Sequence, residues 1–481
     1  MKTDYIEACV QMKLYKLTKR HFVLLYSSFL CVFLAIVAFE LAGPHIALDQ
    51  EILSHIDASL ERYHLRSPYL SLFNQQLTLY CKFHLNLRES ERFSKPVELS
   101  LYITDFEGKQ LNTHGNNYSR MLSCAGDHCN DMIIAHWAYI ATQRYSVNVL
   151  FSGFHDLYNQ ISNVSFVFRT INPEFTQIEI WARFSFLILS FIVTCFFSSS
   201  IKRFSFKYWS IEQRWMAIIL PSLILYNDPL FPVKYVISSW WPLIADCLFQ
   251  TLFYALIMMF LLSAFHGMRL KERLLCCFYF PKFLIVGALW LLVFGFSTYT
   301  TVQLSRDPAY YAILDFPFYT EWRIALAVLC IIFILYGLFL ATRAYSELRV
   351  IPYFDTRLGF LFCFTSFTFI CFLAALLFRC EIFQLQPLKF SEDFSFSFSN
   401  SSDFMSFYGL FNFYIYVLAY VYLPAKNAVQ DSYFRENAPF SALDDSEEDI
   451  VYGTSERTFL THHINGRKVQ EVFSSDDDKI A

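Results

Sequence analysis

A chain of 481 residues that is 55% hydrophobic, with a mean hydropathy of +0.36, is too apolar for a soluble protein of its size. Its net charge of -4 says nothing about nucleic acid by itself, but without a basic cluster of binding size no nucleic-acid partner is expected. Thirteen cysteines with no CxxC pair argue against zinc ribbons and thioredoxin-like sites.

Residues 1–20 carry Lys13, Lys16, Lys19 and Arg20 and are expected in the cytosol. An apolar run from Phe22 to Ala42 follows, about 20 residues and long enough to span. Residues 21–43 read as an uncleaved anchor. Cleavage after the small residues near Ala42 is the alternative.

Residues 44–177 differ in kind and are expected to be luminal. Leu77, Leu79, Cys81, Phe83, Leu85 and Leu87 alternate with polar residues, the period of a half-buried strand. Val97–Ile103, Tyr145–Phe151 and Val164–Phe168 repeat the pattern. Ile52–Leu65 is more helix-like and reads as a connector. Several such strands predict a β-rich antiparallel sandwich. Sequons stand at Asn117, Asn163 and Asn400. Cys124 and Cys129 bracket Ala-Gly-Asp-His, and a disulfide between them is the leading reading. Free thiols or a bridge to Cys81 remain open. A metal site using His128 lacks a second ligand pair.

Seven further apolar stretches are 178–199, 211–226, 241–265, 278–302, 322–342, 358–378 and 407–423. With the anchor they predict a membrane protein of eight transmembrane helices, the last seven forming a bundle over 178–426. Lys202, Arg203, Lys207, Arg269, Lys271, Arg273, Arg343, Arg349 and Arg357 fall in alternate loops, which the positive-inside rule puts in the cytosol. That places Asn400 on the same side as the other two sequons. Residues 427–481 are polar and acidic, with DDSEED at 444–449, and read as a disordered cytosolic tail.

The most informative stretch is Tyr208–Pro232, YWSIEQRWMAIILPSLILYNDPLFP. Ser210 and Gln213 form a capping box, so a helix should start at Ile211. It should stop near Tyr226, because Asp228 precedes Pro229. Such a helix spans ~24 Å against a hydrocarbon core of ~30 Å, and Pro221 interrupts it. The sequences WSIEQRW and YNDPLFP resemble the Wntless family and its GOLD-domain seven-transmembrane relatives, within them the transmembrane protein 181 branch. The motif residues are Trp209, Glu212, Gln213, Trp215, Pro229 and Pro232. The resemblance implies a GOLD-like fold for 44–177 and a secretory-pathway protein of the Golgi and cell surface. It also implies a lipid-modified ligand whose acyl chain enters a cavity among the helices.

The bundle has no GxGD, GxSxG, HExxH or P-loop pattern and one helix-end histidine, His266, so an enzyme is not expected. Asp228 and Asp246 lie near the luminal helix ends and Lys282 near a cytosolic one, where each could snorkel or pair. Pro221, Asn227, Asp228 and Asp246 are the candidates to line a bilayer-open cavity, because unsatisfied groups at membrane depth need protein, water or ligand. Glu212 and Arg214 are expected to tie the helix start to the cytosolic loops. No cofactor is expected beyond a bound lipid. Expected partners are membrane lipids and a lipidated or secreted cargo protein. A receptor coupled to G proteins is the first alternative, although 241–265 ends without an acidic-Arg-Tyr triplet and the last helix lacks NPxxY. A channel or transporter is the second, although the helices lack polar stripes.

Overall fold

Period-two patterning and helix caps set the elements. The computed structural model describes residues 10–41, 44, 47–54, 62–85, 92–105, 108, 117–125, 128–152, 161–237, 239–267, 275–348, 352–382, 401–425, 463–464 and 467–468. The strands are β1 (Ala47–Ser54), β2 (Arg62–Arg66), β3 (Leu77–Leu85), β4 (Arg92–Asp105), β5 (Asn117–Ala125), β6 (His128–Cys129), β7 (Met132–Trp137), β8 (Tyr145–Ser152) and β9 (Ile161–Ile171). All pairings among them are antiparallel. One layer runs β1-β9-β3-β7 and the other β5-β4-β8-β2, and the short β6 joins β3 to β5. Their inner faces meet at Phe83, Phe151 and Phe166, with ring centroids 5.6 Å and 6.4 Å apart. The four stretches with clean alternation are β3, β4, β8 and β9, and they supply most of this core. Pro96 sits where β4 has β5 on one side only, so its missing N–H costs no ladder bond.

The helix-like reading of Ile52–Leu65 is corrected. Ile52 lies in β1 opposite Phe166, and Leu65 lies in β2 opposite Val147, while 55–61 fall outside the described residues. Pairing with a patterned neighbour outweighs a local 3.6 period. Cys124 and Cys129 are disulfide-bonded across β5 and β6, while Cys81 is a buried free thiol.

The helices are α1 (Lys19–Leu41), α2 (Pro173–Ile201), α3 (Ile211–Tyr226), α4 (Trp241–Gly267), α5 (Leu275–Arg306), the single turn α6 (Ala312–Asp315), α7 (Tyr319–Leu348), α8 (Pro352–Ile382) and α9 (Ser401–Tyr422). Among the described residues six segments are long and apolar enough to cross a membrane: Lys19–Ala38, Pro173–Ile201, Ile211–Tyr235, Trp241–Gly267, Phe278–Arg306 and Tyr319–Ser346. In α8 the apolar described part is shorter, Thr356–Cys371. α2 begins at Pro173, earlier than the expected 178, because the Asn172 side chain accepts the Glu174 N–H at 3.0 Å and Pro173 fits the first turn.

The β-domain is clamped to the bundle at two places. On one side Thr176 of α2 donates to the Phe73 carbonyl at 2.7 Å, and Gln75 donates to Glu179 at 2.9 Å. On the other the α5–α7 connection enters the sandwich. Arg120, 3% exposed, bonds both Asp315 oxygens at 2.9 Å and 3.1 Å and the Ala309 carbonyl at 2.6 Å. Tyr118 donates to Asp307, and the His136 N–H to the Pro308 carbonyl at 2.7 Å. Burial and the Asp307 carboxylate both push the Tyr118 hydroxyl pKa up.

Residues 10–17 lie across the end of the bundle that carries Lys202, Arg203 and Lys207. The Lys13 N–H donates to the Leu423 carbonyl at 2.8 Å, and the Ala425 N–H to the Gln11 carbonyl at 2.9 Å. Met12 and Leu14 are 1% and 0% exposed. In the separate C-terminal unit, 429–481, the described residues are His463–Ile464 and Arg467–Lys468, which pair antiparallel. The expected disorder of the rest of the tail lies outside the described residues.

Candidate functional site

α3 starts where its cap dictates. Ser210 Oγ accepts the Gln213 N–H at 3.2 Å, and Gln213 Oε1 accepts the Ser210 N–H at 3.1 Å. The Gln213 amide is also spent on the Tyr422 carbonyl at 3.1 Å, which ties α3 to α9. Glu212, fully buried, pairs with Arg357 of α8. Arg214 donates to the Phe206 and Lys207 carbonyls at 3.4 Å and 3.3 Å. Trp209 caps the Phe204 carbonyl at 3.0 Å, and Trp215 packs near Tyr279.

At its other end α3 stops at Asn227, and Asp228 takes a positive φ of 48°. Aspartate tolerates that region, and its Oδ1 accepts the Leu230 N–H at 3.2 Å, closing a side-chain turn around Pro229. Pro229 and Pro232 are exposed.

The amides and hydroxyls here satisfy one another, whereas Asp228 Oδ2 is buried with no hydrogen-bond partner among the described residues. Asn227 donates to Ser190 at 2.6 Å and to Asn412 at 3.0 Å, and accepts from Asn412 at 3.0 Å. Tyr416 completes the group through Ser190 and Asn412. Nearer the β-domain, Arg183 of α2 stands amid three carboxylates: Glu179 at 3.1 Å, Asp246 at 3.5 Å and Asp228 at 3.9 Å. Asp246 also accepts from Lys234 at 2.6 Å and Gln250 at 2.8 Å. Burial strengthens each contact and makes breaking it costly.

Two expectations are corrected. Pro221 faces away from Asn227 and Asp228 and does not line a site with them. It lies on an exposed stripe with Ile218 and Leu225, 50% and 38% exposed, whereas Asn227 and Asp228 face inward at 1% and 3%. Asp246 likewise belongs to the ion-pair cluster. The gap above the short helix is filled by Phe231, 2% exposed, with the Arg183 guanidinium 4.2 Å from its ring. Lys282 neither snorkels nor reaches a described carboxylate. It is fully buried, 3.3 Å from the Phe278 ring, and donates to the Phe278 carbonyl.

A shallow apolar groove, wide open to the outside and of about 440 Å³, lies elsewhere, between α1 and α8, lined by Phe22, Val23, Tyr26, Ser27, Leu30 and Phe367. Its back wall is aromatic: Tyr26 meets Phe364 and Phe367 edge-on at 5.6 Å and 5.3 Å.

Sequence reasoning missed Glu179, Arg183 and Asn412. The first two form a Glu-Arg pair four residues apart at the end of an apolar run, and Asn412 is an amide inside one. A search for polar residues within spans finds all three. Their partners come from distant elements and carry no local signal.

Residues 172–426 match the family model "Wntless-like, transmembrane domain", and residues 61–171 match "TMEM181, GOLD domain". The two meet at the Asn172 cap, where β9 passes into α2. Human "Transmembrane protein 181" is 38% identical over 480 residues, covering 98% of this chain and 100% of that relative. This chain is therefore a multi-pass membrane protein of the transmembrane protein 181 family, a GOLD-domain sandwich built onto a Wntless-like transmembrane domain.

Proposed function

We propose that the chain handles cargo in the secretory pathway, at the Golgi and the cell surface, by holding the acyl chain of a lipid or lipidated protein. The observation that carries this reading is the groove between α1 and α8. Its walls are aliphatic and aromatic, and Val23 and Leu30 are exposed at its mouth. Lipid tails are as apolar as leucine, so selection there comes from shape and van der Waals fit. The GOLD domain is the surface for the protein part of a cargo, on the side opposite the basic loops. In this reading that side is the lumen, and α8 and α9 bring the spans to eight. The receptor reading has less support, because residues 10–17 already occupy the basic end of the bundle, where a cytosolic partner would enter.

Native mass spectrometry of the full chain in detergent tests the proposal. A lipid or acylated adduct is expected on the wild type and should be lost in Val23→Trp, with the melting temperature unchanged. A wild type that carries no adduct, or a variant that keeps it, overturns the assignment.

A further inference from the structure

Exposed apolar side chains gather where the sandwich meets the bundle, and the length of α2 sets their depth. Its 29 residues extend ~43 Å, more than the ~30 Å hydrocarbon core. Lys202 and Arg203 follow directly and fix its basic end. About 20 residues back from Ile201, the length needed to cross, the helix reaches Trp181. Trp181 is 69% exposed, a side chain suited to the interface. Residues 173–180 therefore run through the headgroup layer.

The tip of the sandwich is tied to that stretch. Phe73 accepts from Thr176, roughly 7 Å outside Trp181 along the helix, and its ring stacks on Tyr235 at 5.5 Å. Leu72 and Phe73 are 47% and 40% exposed, although the sandwich core has ample apolar partners. The chain just beyond Tyr235 adds Val236 at 82% and Trp240 at 44%. The tip is also rigid. Ser71 and Asn74 close a capping box around it, and Asn74 donates to the Ile171 carbonyl at 3.0 Å.

We infer that Leu72 and Phe73 form a membrane-docking tip of the GOLD domain, inserted with Val236 and Trp240 into the bilayer leaflet on the domain side. The occupant is lipid and not a protein partner, because this surface continues the lipid-facing surface of α2. Asn172 alone separates β9 from α2, so the domain has no slack to leave the bilayer. Preordering by the capping box lowers the entropic cost of insertion.

Photochemical capture tests this in the full chain reconstituted into phosphatidylcholine nanodiscs. A benzophenone side chain replaces that of Leu72 in one sample, of Ile218 on the exposed face of α3 in a second, and of Ser94, exposed on β4, in a third. Mass spectrometry of the irradiated protein should find phosphatidylcholine adducts at positions 72 and 218 and none at 94. Adducts at 218 without any at 72 overturn the inference. Equal labelling at 72 and 94 also overturns it, since capture would then not report insertion.

Discussion

Glu212 and Arg357 form an ion pair with three hydrogen bonds, at 2.5 Å and 2.6 Å from one guanidinium nitrogen and 3.2 Å from Nε, with the carboxylate fully buried. It fastens the first turn of α3 to α8. Removing one partner strands the other charge, which costs ~3–5 kcal/mol. Glu212→Ala should therefore lower the thermal stability of the detergent-solubilised protein sharply. Glu212→Leu combined with Arg357→Met should recover most of it, since an apolar pair of similar volume needs no desolvation. If the double variant were as unstable as the single, the loss would lie in packing and not in the stranded charge.

The Asn227–Asn412 pair joins α3 to α9 through two reciprocal 3.0 Å bonds. Hydrogen bonds between membrane helices contribute about 0.6 kcal/mol on average and up to about 1.7. This buried, reciprocal pair should sit near the upper figure. A double-mutant cycle of Asn227→Ala and Asn412→Ala, read by unfolding in detergent, should give that coupling. Strict additivity would show that the two amides do not depend on each other.

These two ends of α3 differ in how far the sequence reveals them. Its boundaries, Ile211 and Tyr226, follow from Ser210, Gln213 and Pro229, because caps and prolines act within a few residues. The strands with alternating apolar residues were equally legible. β5 was not: Asn-Tyr-Ser-Arg-Met-Leu-Ser-Cys-Ala buries Arg120 against the α5–α7 connection, so a core position carries a charge and breaks the pattern. The cluster of Arg183, Asp228 and Asp246 joins three elements that only the fold brings together, so the aspartates could be flagged but not their cation.

Arg120 pins the GOLD domain onto the α5–α7 connection. Arg120→Met keeps the length of the side chain and removes its hydrogen bonds, leaving the Asp315 carboxylate without its guanidinium partner. Hydrogen exchange should then quicken at the His136 amide, whose acceptor is the Pro308 carbonyl, while amides of β8 and β9 stay protected. Unchanged exchange at His136 would mean that the backbone contact holds without Arg120.

His136 should make the GOLD domain sensitive to acid. Burial lowers its pKa from 6.5 to about 4, and Thr78 Oγ1 lies 2.8 Å from its Nδ1. Between those values the unfolded chain binds more protons than the folded one. The contribution of His136 to stability is thus complete above about pH 6.5 and declines as pH falls towards 4. At about 1.4 kcal/mol per pKa unit, the effect should reach roughly 3 kcal/mol by pH 4. Melting temperatures measured from pH 7 to pH 4 should show His136→Gln flattening this part of the profile. An identical profile in the variant would assign the acid sensitivity elsewhere.

Asn163 tests the order of glycosylation and folding. Asn117 and Asn400 have side chains outside the described residues, but Asn163 sits on β9 opposite His84 of β3, and its neighbour Val164 pairs with Ser54 of β1. Ser165, the hydroxyl residue of this sequon, is fully buried. A transferase must hold an extended Asn-X-Ser segment and reach that hydroxyl, which the folded sandwich withholds. With a luminal GOLD domain, the sites then differ. Asn117 is the first residue of β5, opposite Ser100 of β4, and should be glycosylated more fully than Asn163. Slowing formation of the sandwich by Val149→Ala, a cavity in its core, should raise occupancy at Asn163 and leave Asn117 unchanged. Glycopeptide mass spectrometry of both sites reads the result. Full occupancy at Asn163 in the wild type would show that modification outruns pairing of β9, and no glycan at any of the three sites would put the domain on the other side of the membrane.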